Sequence, residues 1–391
     1  MKKKKIIFVT KALWIGGIET ALVNLLNQFN YEKYEVTLLV LHAELNLLNQ
    51  INLNCRVLIA DREKKYSFDE KYKYIKLYHL TEEAEHPSML HRMFMWMTPF
   101  LKWIENRQHI RYIRHLMKNE SFDTCIIYSD VTAETAIRSI CAKHFFMYYH
   151  HGAMRHVYHD QVAYKKCDKI IAVSENQAEE LRKFIPSAAD KIITIHNLTD
   201  IEGIKRKAAA DTTEVFDKTR FNIVTVGRVS YEKGMDIAVQ ACAKLVKQGA
   251  ANICWWIVGD GPEMPEIRTV IAEMNMDPYI KLVGMKDNPY PYVRQADLYV
   301  QPSRVESFGL TILEALILGR VVVSTETYGA KENIINGING LLCKTNANDI
   351  SRTIKYLLEN PEIITKLKNY PITEKCIKEN RKTMNKLERI L

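Results

Sequence analysis

Short apolar runs alternate with helix-like segments along the whole chain. Such alternation is typical of a parallel sheet covered by helices on both faces. Two series are present, one starting at residue 5 and one at residue 221, so the sequence predicts two Rossmann-like α/β domains with doubly wound parallel sheets that face each other across a cleft. The predicted strands are Lys5–Thr10, Glu35–Leu41, Cys125–Tyr128, Phe145–Tyr149, Lys169–Val173 and Lys191–Ile195, followed by Phe221–Val226, Ile253–Val258, Ile280–Val283, Leu298–Val300 and Arg320–Val323.

The break between the two series sets the expected domain boundaries. Residues 1–198 are expected to form the first domain, 199–220 a polar, alanine-rich linker and 221–372 the second domain. Residues 60–120 interrupt the rhythm and are expected to be an insertion in the first domain. The amphipathic segment 373–391 predicts a final helix that packs back on the first domain.

Composition narrows the class of protein. The chain has 391 residues, enough for two folded domains at roughly 150 residues each, and its 47% hydrophobic and 26% charged residues exclude a disordered chain. Eight cysteines without a CxxC pair predict reduced thiols.

No apolar stretch approaches the ~18 residues of a membrane span, and the apolar run after the first lysines is too short for a secretory signal, so we expect a cytoplasmic protein. The net charge of +9 is shared by both halves, and no nucleic-acid partner is expected.

Residues 88–118 combine basic and apolar side chains. The apolar ones recur at three- and four-residue steps, which predicts an interfacial helix on an anionic membrane, at the inner face of the cell membrane. Pro99 would kink or divide this helix. A helical hairpin packed on the sheet, or a homodimer contact, would show the same spacing. The residues are Met89, Leu90, Met93, Phe94, Met97, Phe100, Leu101 and Ile104 on the apolar side and Arg92, Lys102, Arg107, Arg111 and Arg114 on the basic side.

Common phosphate-binding motifs are missing. Gly259-Asp260-Gly261 is the nearest match to a dinucleotide fingerprint, but it lacks the third glycine. Neither a P-loop nor an Asp-x-Asp pair occurs, so a metal-held diphosphate is not indicated and we expect metal-independent chemistry. Gly16 and Gly17 follow the first strand, where their amides could approach an anion or simply form a tight turn.

The second domain carries the stronger candidates. Arg228 and Lys233 lie five residues apart in a loop that opens a helix, where both cations could converge on one diphosphate or remain solvated surface charges. Glu306 lies in a loop before a helix and Glu314 lies within that helix. The two carboxylates could accept hydrogen bonds from different hydroxyls of one ligand, although each taken alone could be an ordinary surface acid.

Several motifs occur together and in order. They are GGIET at 16–20, VSE at 173–175, G-R-x4-K-G at 227–234, VGDGP at 258–262, E-x7-E at 306–314 and GAKENIINGINGLL at 329–342. With them the chain resembles the GT-B glycosyltransferases of family GT4, the group 1 enzymes that use nucleotide-diphosphate sugars. The resemblance covers most of the second domain and separate points of the first. It departs from the family at Ser307, where the family has glycine, and this would alter contacts to the sugar.

The resemblance implies a role for each matching residue. Arg228 and Lys233 would bind the donor diphosphate, while Glu306 would bind hydroxyls of the transferred sugar and Glu314 those of the ribose. Backbone amides at a helix start, a base-contacting loop and the glycines of the first domain would complete the site. The implied donor-binding set is Gly16, Gly17, Arg228, Lys233, Val283, Glu306, Phe308, Gly309, Leu310 and Glu314.

A histidine at the end of a first-domain strand usually faces the reacting carbon in this family, and His150 and His151 compete for that place. We favour His151, because a small residue follows it directly; strand alternation puts the two on opposite faces. The implied catalytic set is His151, Arg228, Lys233 and Glu306. His156 and His159 follow closely, but no acid or cysteine stands at a zinc-like spacing, so no metal site is expected.

The implied activity is transfer of a hexose-type sugar from a nucleotide-diphosphate donor to a glycan or lipid-linked acceptor, with retention of anomeric configuration. The implied setting is synthesis of cell-surface polysaccharide or glycolipid. Two other interpretations stay open. A nucleotide-sugar epimerase of the same fold would need only donor and water, and a catalytically silent subunit would keep the fold and bind another transferase.

Overall fold

Two parallel sheets form the framework of the protein. The computed structural model describes residues 2–60, 106–152, 154, 161–212, 214 and 216–391. The first sheet has the strand order β3-β2-β1-β4-β5-β6-β7 and the second β10-β9-β8-β11-β12-β13. In each sheet the first strand, β1 or β8, lies in the interior. The next two strands are added on one side of it and the remaining strands on the other, which is the doubly wound α/β pattern expected from the sequence. The strands are β1 (Lys4–Thr10), β2 (Tyr34–Val40), β3 (Arg56–Ile59), β4 (Phe122–Ile127), β5 (Ala142–Tyr149), β6 (Lys169–Ala172), β7 (Ile192–Thr194), β8 (Phe221–Val226), β9 (Ile253–Val258), β10 (Ile280–Gly284), β11 (Leu298–Gln301), β12 (Val321–Thr325) and β13 (Leu341–Cys343).

Helices connect most of these strands. A helical stretch covers 106–116 at the start of one described range. The other helices are α1 (Gly17–Gln28), α2 (Ala133–Ser139), α3 (Gln161–Lys166), α4 (Glu175–Phe184), α5 (Ile201–Ala208), α6 (Met235–Lys247), α7 (Met264–Glu273), α8 (Tyr290–Gln295), α9 (Leu310–Ile317), α10 (Tyr328–Asn333), α11 (Ala347–Glu359), α12 (Pro361–Lys368) and α13 (Ile372–Ile390).

Contacts within the chain group its residues into two compact units. Met1–Tyr149 and Val157–Ile171 form the first unit, and His150–His156 and Ala172–Leu391 form the second. The two sheets divide the chain between β7 and β8, close to the expected linker. The contact-based units divide it earlier, so the expected domain bounds stay a prediction.

The strands form where the sequence has its apolar runs, and each predicted strand is present. All six residues of β9 are buried, and β8 pairs with it in parallel register from Phe221 opposite Ile253 to Val226 opposite Val258. Burial along a whole strand requires cover on both faces of the sheet, which explains why these runs read as continuously apolar. The strands β3 and β13 were not predicted; both lie at the edge of a sheet, and at most one residue of each is fully buried.

The expected linker contains a helix. One side of α5 is buried through Ile201, Ile204 and Ala208, and the Asp200 carboxylate caps it by accepting a hydrogen bond from the Gly203 amide at 2.9 Å. Basic residues in its last turn hide this apolar spacing in the sequence. The expected final helix is confirmed as α13, and its contact with the first domain stays a prediction.

The expected membrane helix lies mostly outside the described residues. Its apolar residues, Arg92, Lys102 and Pro99 all fall in the gap, and only 106–118 is described. There the helical stretch buries Ile110 and Ile113 and leaves its arginines exposed. Across the described ranges, no helix has both the length and the apolar character needed to cross a membrane.

Candidate functional site

Two loops lie side by side at the carboxyl ends of β8 and β11, the edge where open α/β sheets bind ligands. The first loop is 227–234 and the second is 302–309. Two amides of the second loop donate hydrogen bonds to the carbonyl oxygen of Glu232, at 2.8 and 3.2 Å. Gly234 has a φ of +66°, and a Cβ there would lie 2.3 Å from the carbonyl oxygen of Pro302. Only glycine permits this close approach.

Arg304 fastens the two loops together. Its guanidinium donates to both carboxylate oxygens of Asp236, at 2.8 and 2.6 Å, and to the carbonyl oxygen of Tyr231 at 2.9 Å. It also lies 4.2 Å from the centre of the Tyr231 ring. Burial opposes ionisation of Asp236, but the hydrogen bonds and charge of Arg304 lower its pKa overall. The loop that carries Lys233 is thereby held against the loop that carries Glu306.

Lys233 and Glu306 form an ion pair, with Nζ 2.6 Å from Oε1. The side chain of Glu306 is 8% exposed and that of Lys233 is 27% exposed. The same Oε1 accepts hydrogen bonds from Ser303 Oγ at 2.8 Å and from Gln301 Nε2 at 3.3 Å. Glu306 Oε2 takes part in no hydrogen bond among the described residues. Sequence reasoning placed Lys233 on a phosphate and Glu306 on a sugar, and the structure adds that the two side chains touch each other.

Arg228 is exposed at the start of the same loop. Its guanidinium forms no hydrogen bond or ion pair with another residue in the part of the chain that the structure describes. Its neighbour Val229 is buried and is anchored through its amide, which donates to the carbonyl oxygen of Asp260 at 3.0 Å. The backbone of this loop is therefore fixed, while the guanidinium is available to an anion.

The segment Phe308–Leu310 opens α9. Gly309 has a φ of +72°, and a Cβ on Gly329 would lie within 2.5–2.8 Å of the Phe308 and Gly309 backbone. The Asn333 side chain donates to the carbonyl oxygens of Phe308 and Gly329, so this turn is tied to α10. Phe308 itself is buried. The turn thus has a defined conformation at a helix N-terminus, where backbone amides favour an anion.

Glu314 lies on α9 and is mostly buried. The Tyr290 hydroxyl donates to its Oε1 at 3.0 Å. Burial raises the pKa of Glu314 to about 7, while the Tyr290 hydrogen bond and the charge of Lys207 act in the opposite direction. A carboxyl group in this state is costly to ionise unless a ligand or partner supplies further hydrogen-bond donors.

The remaining donor-binding candidates also lie at carboxyl ends of strands. Val283 is partly buried near the end of β10, where the Gly259 amide donates to the carbonyl oxygen of Gly284 at 2.8 Å. In the first unit, Gly16 precedes α1 and Gly17 opens it, just after β1. That Gly16 and Gly17 bind the same diphosphate as the second-unit residues stays a prediction.

His150 and His151 follow β5 and differ in exposure. His150 is buried, whereas His151 is partly exposed, and the carbonyl oxygen of His151 accepts a hydrogen bond from Gln177 Nε2 at 2.7 Å. A Cβ on Gly152 would lie 3.1 Å from the backbone carbon of Glu306, so this segment passes close to the Glu306 loop. The assignment of His151 stays a prediction, and His156 and His159 lie outside the described residues.

Sequence reasoning missed the polar residues that support the site. Gln301 and Ser303 contact Glu306, Tyr290 contacts Glu314, and Gln177 holds the carbonyl oxygen of His151. One signal was available: Gln301 is a lone polar residue at the end of an apolar strand. Within the described ranges, no three His, Cys, Asp or Glu side chains are grouped so that they could hold a metal ion.

Comparison with known proteins accounts for both parts of the chain. The model of "Glycosyltransferase Family 4" matches residues 15–202, and the model of "Glycosyl transferases group 1" matches 207–380. A 4-alpha-N-acetylgalactosaminyltransferase of Campylobacter jejuni, which acts on N-acetylgalactosamine-N,N'-diacetylbacillosaminyl-diphospho-undecaprenol, is 28% identical over 208 residues, 53% of this chain and 55% of that protein. N-acetyl-alpha-D-glucosaminyl L-malate synthase of Bacillus anthracis is 26% identical over 46% of this chain and 47% of its own length. The chain thus matches about half the length of these curated relatives.

Solved structures match over nearly the whole chain. A glycosyltransferase from Rickettsia africae has a TM-score of 0.71 and 18% identity, covering 100% of this chain and 98% of its own. HepE of Anabaena, solved in complex with UDP and glucose, has a TM-score of 0.69 and 17% identity, covering 99% of this chain and 100% of its own. These likenesses agree with the two doubly wound sheets described above. Together with the two family models, they establish that the chain belongs to the group 1 glycosyltransferases of family GT4 and has their GT-B fold.

Proposed function

We propose that the protein transfers a hexose-type sugar from a nucleotide-diphosphate donor to a glycan or lipid-linked acceptor with retention of anomeric configuration. The proposed setting is synthesis of a cell-surface polysaccharide or glycolipid at the inner face of the cell membrane. The observation that carries the proposal is the pairing of Lys233 with Glu306 beside the exposed Arg228, at the carboxyl ends of β8 and β11. The Campylobacter relative, which is named for a lipid-linked sugar, and the UDP and glucose complex of HepE support it.

Each side chain has a place in the proposed donor complex. Arg228 and Lys233 bind the diphosphate, and the amides that open α9 lie near its distal phosphate. Glu306 accepts a hydrogen bond from the transferred sugar and Glu314 from the ribose. Val283, near the end of β10, meets the base, the Gly16–Gly17 turn meets the diphosphate, and His151 faces the anomeric carbon.

The proposed chemistry places the catalytic effect on the leaving group. The bond between the acceptor oxygen and the anomeric carbon forms as the bond from that carbon to the diphosphate breaks, and a donor phosphate oxygen takes the acceptor's proton. Negative charge therefore grows on the diphosphate, where a planar guanidinium and a compact ammonium stabilise it. In this proposal the two cations and the helix N-terminus do this without a metal ion.

A ligand panel tests the proposal. A ligand that binds only the folded state raises the melting temperature, so UDP-, GDP- and ADP-sugars are compared in thermal-shift measurements with EDTA present. We expect one nucleotide series to give a clear rise, and transfer assays with that series to yield a product of unchanged anomeric configuration by NMR. Absence of a rise with every nucleotide sugar would refute the proposal.

A further inference from the structure

Glu306 is held by one of its two carboxylate oxygens. Lys233 Nζ, Ser303 Oγ and Gln301 Nε2 all donate to Oε1, at 2.6, 2.8 and 3.3 Å. Three donors fill the hydrogen-bonding capacity of a single carboxylate oxygen. Oε2 is left as the acceptor that a sugar hydroxyl can use. The orientation of the carboxylate therefore depends on the side chains that surround Oε1.

Gln301 occupies the centre of this arrangement. It is 0% exposed, and its Oε1 accepts hydrogen bonds from the Tyr299 hydroxyl at 2.6 Å and from the Thr311 hydroxyl at 3.2 Å. Hydroxyls could serve either end of the amide, but a carboxylate only accepts, so Glu306 fixes the end of the amide that faces it as the donor. The amide nitrogen lies at that end, where it donates to Ser303 Oγ at 2.8 Å as well as to Glu306. A buried amide that is satisfied at both ends has one stable orientation.

We propose that Gln301 is a positioning residue, which holds Glu306 so that Oε2 faces a hydroxyl of the donor sugar. The inference rests on the proposed function and extends it to a residue that does not itself touch the ligand. Ser303 links the same two side chains indirectly, because its hydroxyl accepts a hydrogen bond from Gln301 and donates one to Glu306. Gln301 thereby acts on recognition of the sugar and not on recognition of the nucleotide, which Arg228 and Glu314 serve.

The consequence is measurable as a difference between two ligands. Calorimetry compares the affinity for UDP with that for UDP-glucose, in wild type and in Gln301→Met, which has a similar shape but no amide. GDP and ADP, with their glucose derivatives, replace this pair if one of them binds more tightly. We expect Gln301→Met to bind the free nucleoside diphosphate as wild type does and to bind the nucleotide sugar about tenfold more weakly, the usual cost of a lost hydrogen-bonded arrangement at a charged group. Thr225→Val is the matched control, because it removes two buried hydrogen bonds, one donated to the carbonyl oxygen of Val300 and one accepted from Trp255 Nε1, and neither involves Glu306.

A milder variant keeps the inference testable if Gln301→Met does not fold. Ser303→Ala removes one donor to Oε1 and should show the same selective loss. A set of donor analogues, each lacking one sugar hydroxyl, identifies the hydroxyl that Glu306 binds. Wild type and variant should bind the analogue without that hydroxyl equally well, because its contact with Glu306 is already absent. An equal loss for nucleotide and nucleotide sugar, or no loss, would overturn the inference while leaving the proposed function in place. Failure of wild type to bind either ligand would instead refute the proposed function and the inference with it.

Discussion

Replacing Glu314 by Gln should stabilise the second unit at alkaline pH. Burial raises the pKa of Glu314 to about 7 from its ordinary value of 4.5. Because the folded state holds the proton more tightly than the unfolded state, the favourable contribution is complete below pH 4.5 and is lost as the pH rises through 7. At 1.36 kcal/mol for each tenfold change in proton affinity, the full loss is about 3 kcal/mol, of which about 2 kcal/mol falls between pH 5.5 and pH 8.

Glutamine avoids this loss because it cannot ionise, and it keeps an oxygen that accepts the hydrogen bond of Tyr290. We therefore expect the advantage of Glu314→Gln over wild type to be about 2 kcal/mol larger at pH 8 than at pH 5.5. Native-state hydrogen exchange of peptides from β8 and β9 measures the unfolding free energy of the unit that contains Glu314. Comparing variant and wild type at the same pH cancels the intrinsic exchange rate.

A control separates burial from the simple removal of a charge. Glu273→Gln changes an exposed glutamate of the same unit and should alter stability little at either pH. If the advantage of Glu314→Gln is the same at pH 5.5 and pH 8, Glu314 is not held in its neutral form and the reasoning about its environment is wrong. At pH 8 the same variant should also bind the nucleotide more weakly, because an amide offers one acceptor oxygen where a carboxylate offers two.

Three further outcomes are expected. Arg228→Ala should depress kcat more than it raises KM, because it removes a charge that acts on the leaving diphosphate, and wild-type kinetics would contradict that role. Activity should survive EDTA, since cationic side chains carry the charge stabilisation; a complete loss that Mg²⁺ or Mn²⁺ restores would mean that a metal does so. The segment 88–118 should bring the protein down with anionic vesicles in a salt-sensitive way, and Phe94→Ser with Phe100→Ser should weaken the binding; protein that stays in the supernatant at low salt would place the segment in a core or protein interface.

The apolar runs along the chain were enough to predict eleven of the thirteen strands that the structure describes. Runs such as Ile253–Val258 are buried from end to end, and a sequence shows this directly. The helix of Ile201–Ala208 was hidden because its few apolar residues are spaced among charges. The elements that were missed are partly exposed ones: two edge strands and an amphipathic helix.

The candidate site was predictable as a set of residues but not as an arrangement. Lys233 and Glu306 are 73 positions apart, and nothing in their local sequence says that they touch. Their contact depends on Gly234, whose missing side chain lets the two loops approach, and on Arg304, which spans them. The support from Gln301 depends likewise on where β11 ends against α9. These contacts depend on the tertiary structure. The local sequence indicates only that one polar residue, Gln301, ends an apolar strand.

The proposed donor site depends on Arg228 and Lys233, which hold the diphosphate of the nucleotide. The most direct measurement is a calorimetric titration with UDP, GDP and ADP, in EDTA, of wild type and of the double variant Arg228→Ala with Lys233→Ala. Arg268→Ala removes an exposed cation elsewhere in the second unit and serves as the control. We predict that one nucleotide binds wild type and the control alike, and that the double variant binds it at least about a hundredfold more weakly, because two charge-assisted contacts are lost. Equal affinity in wild type and the double variant would contradict the account.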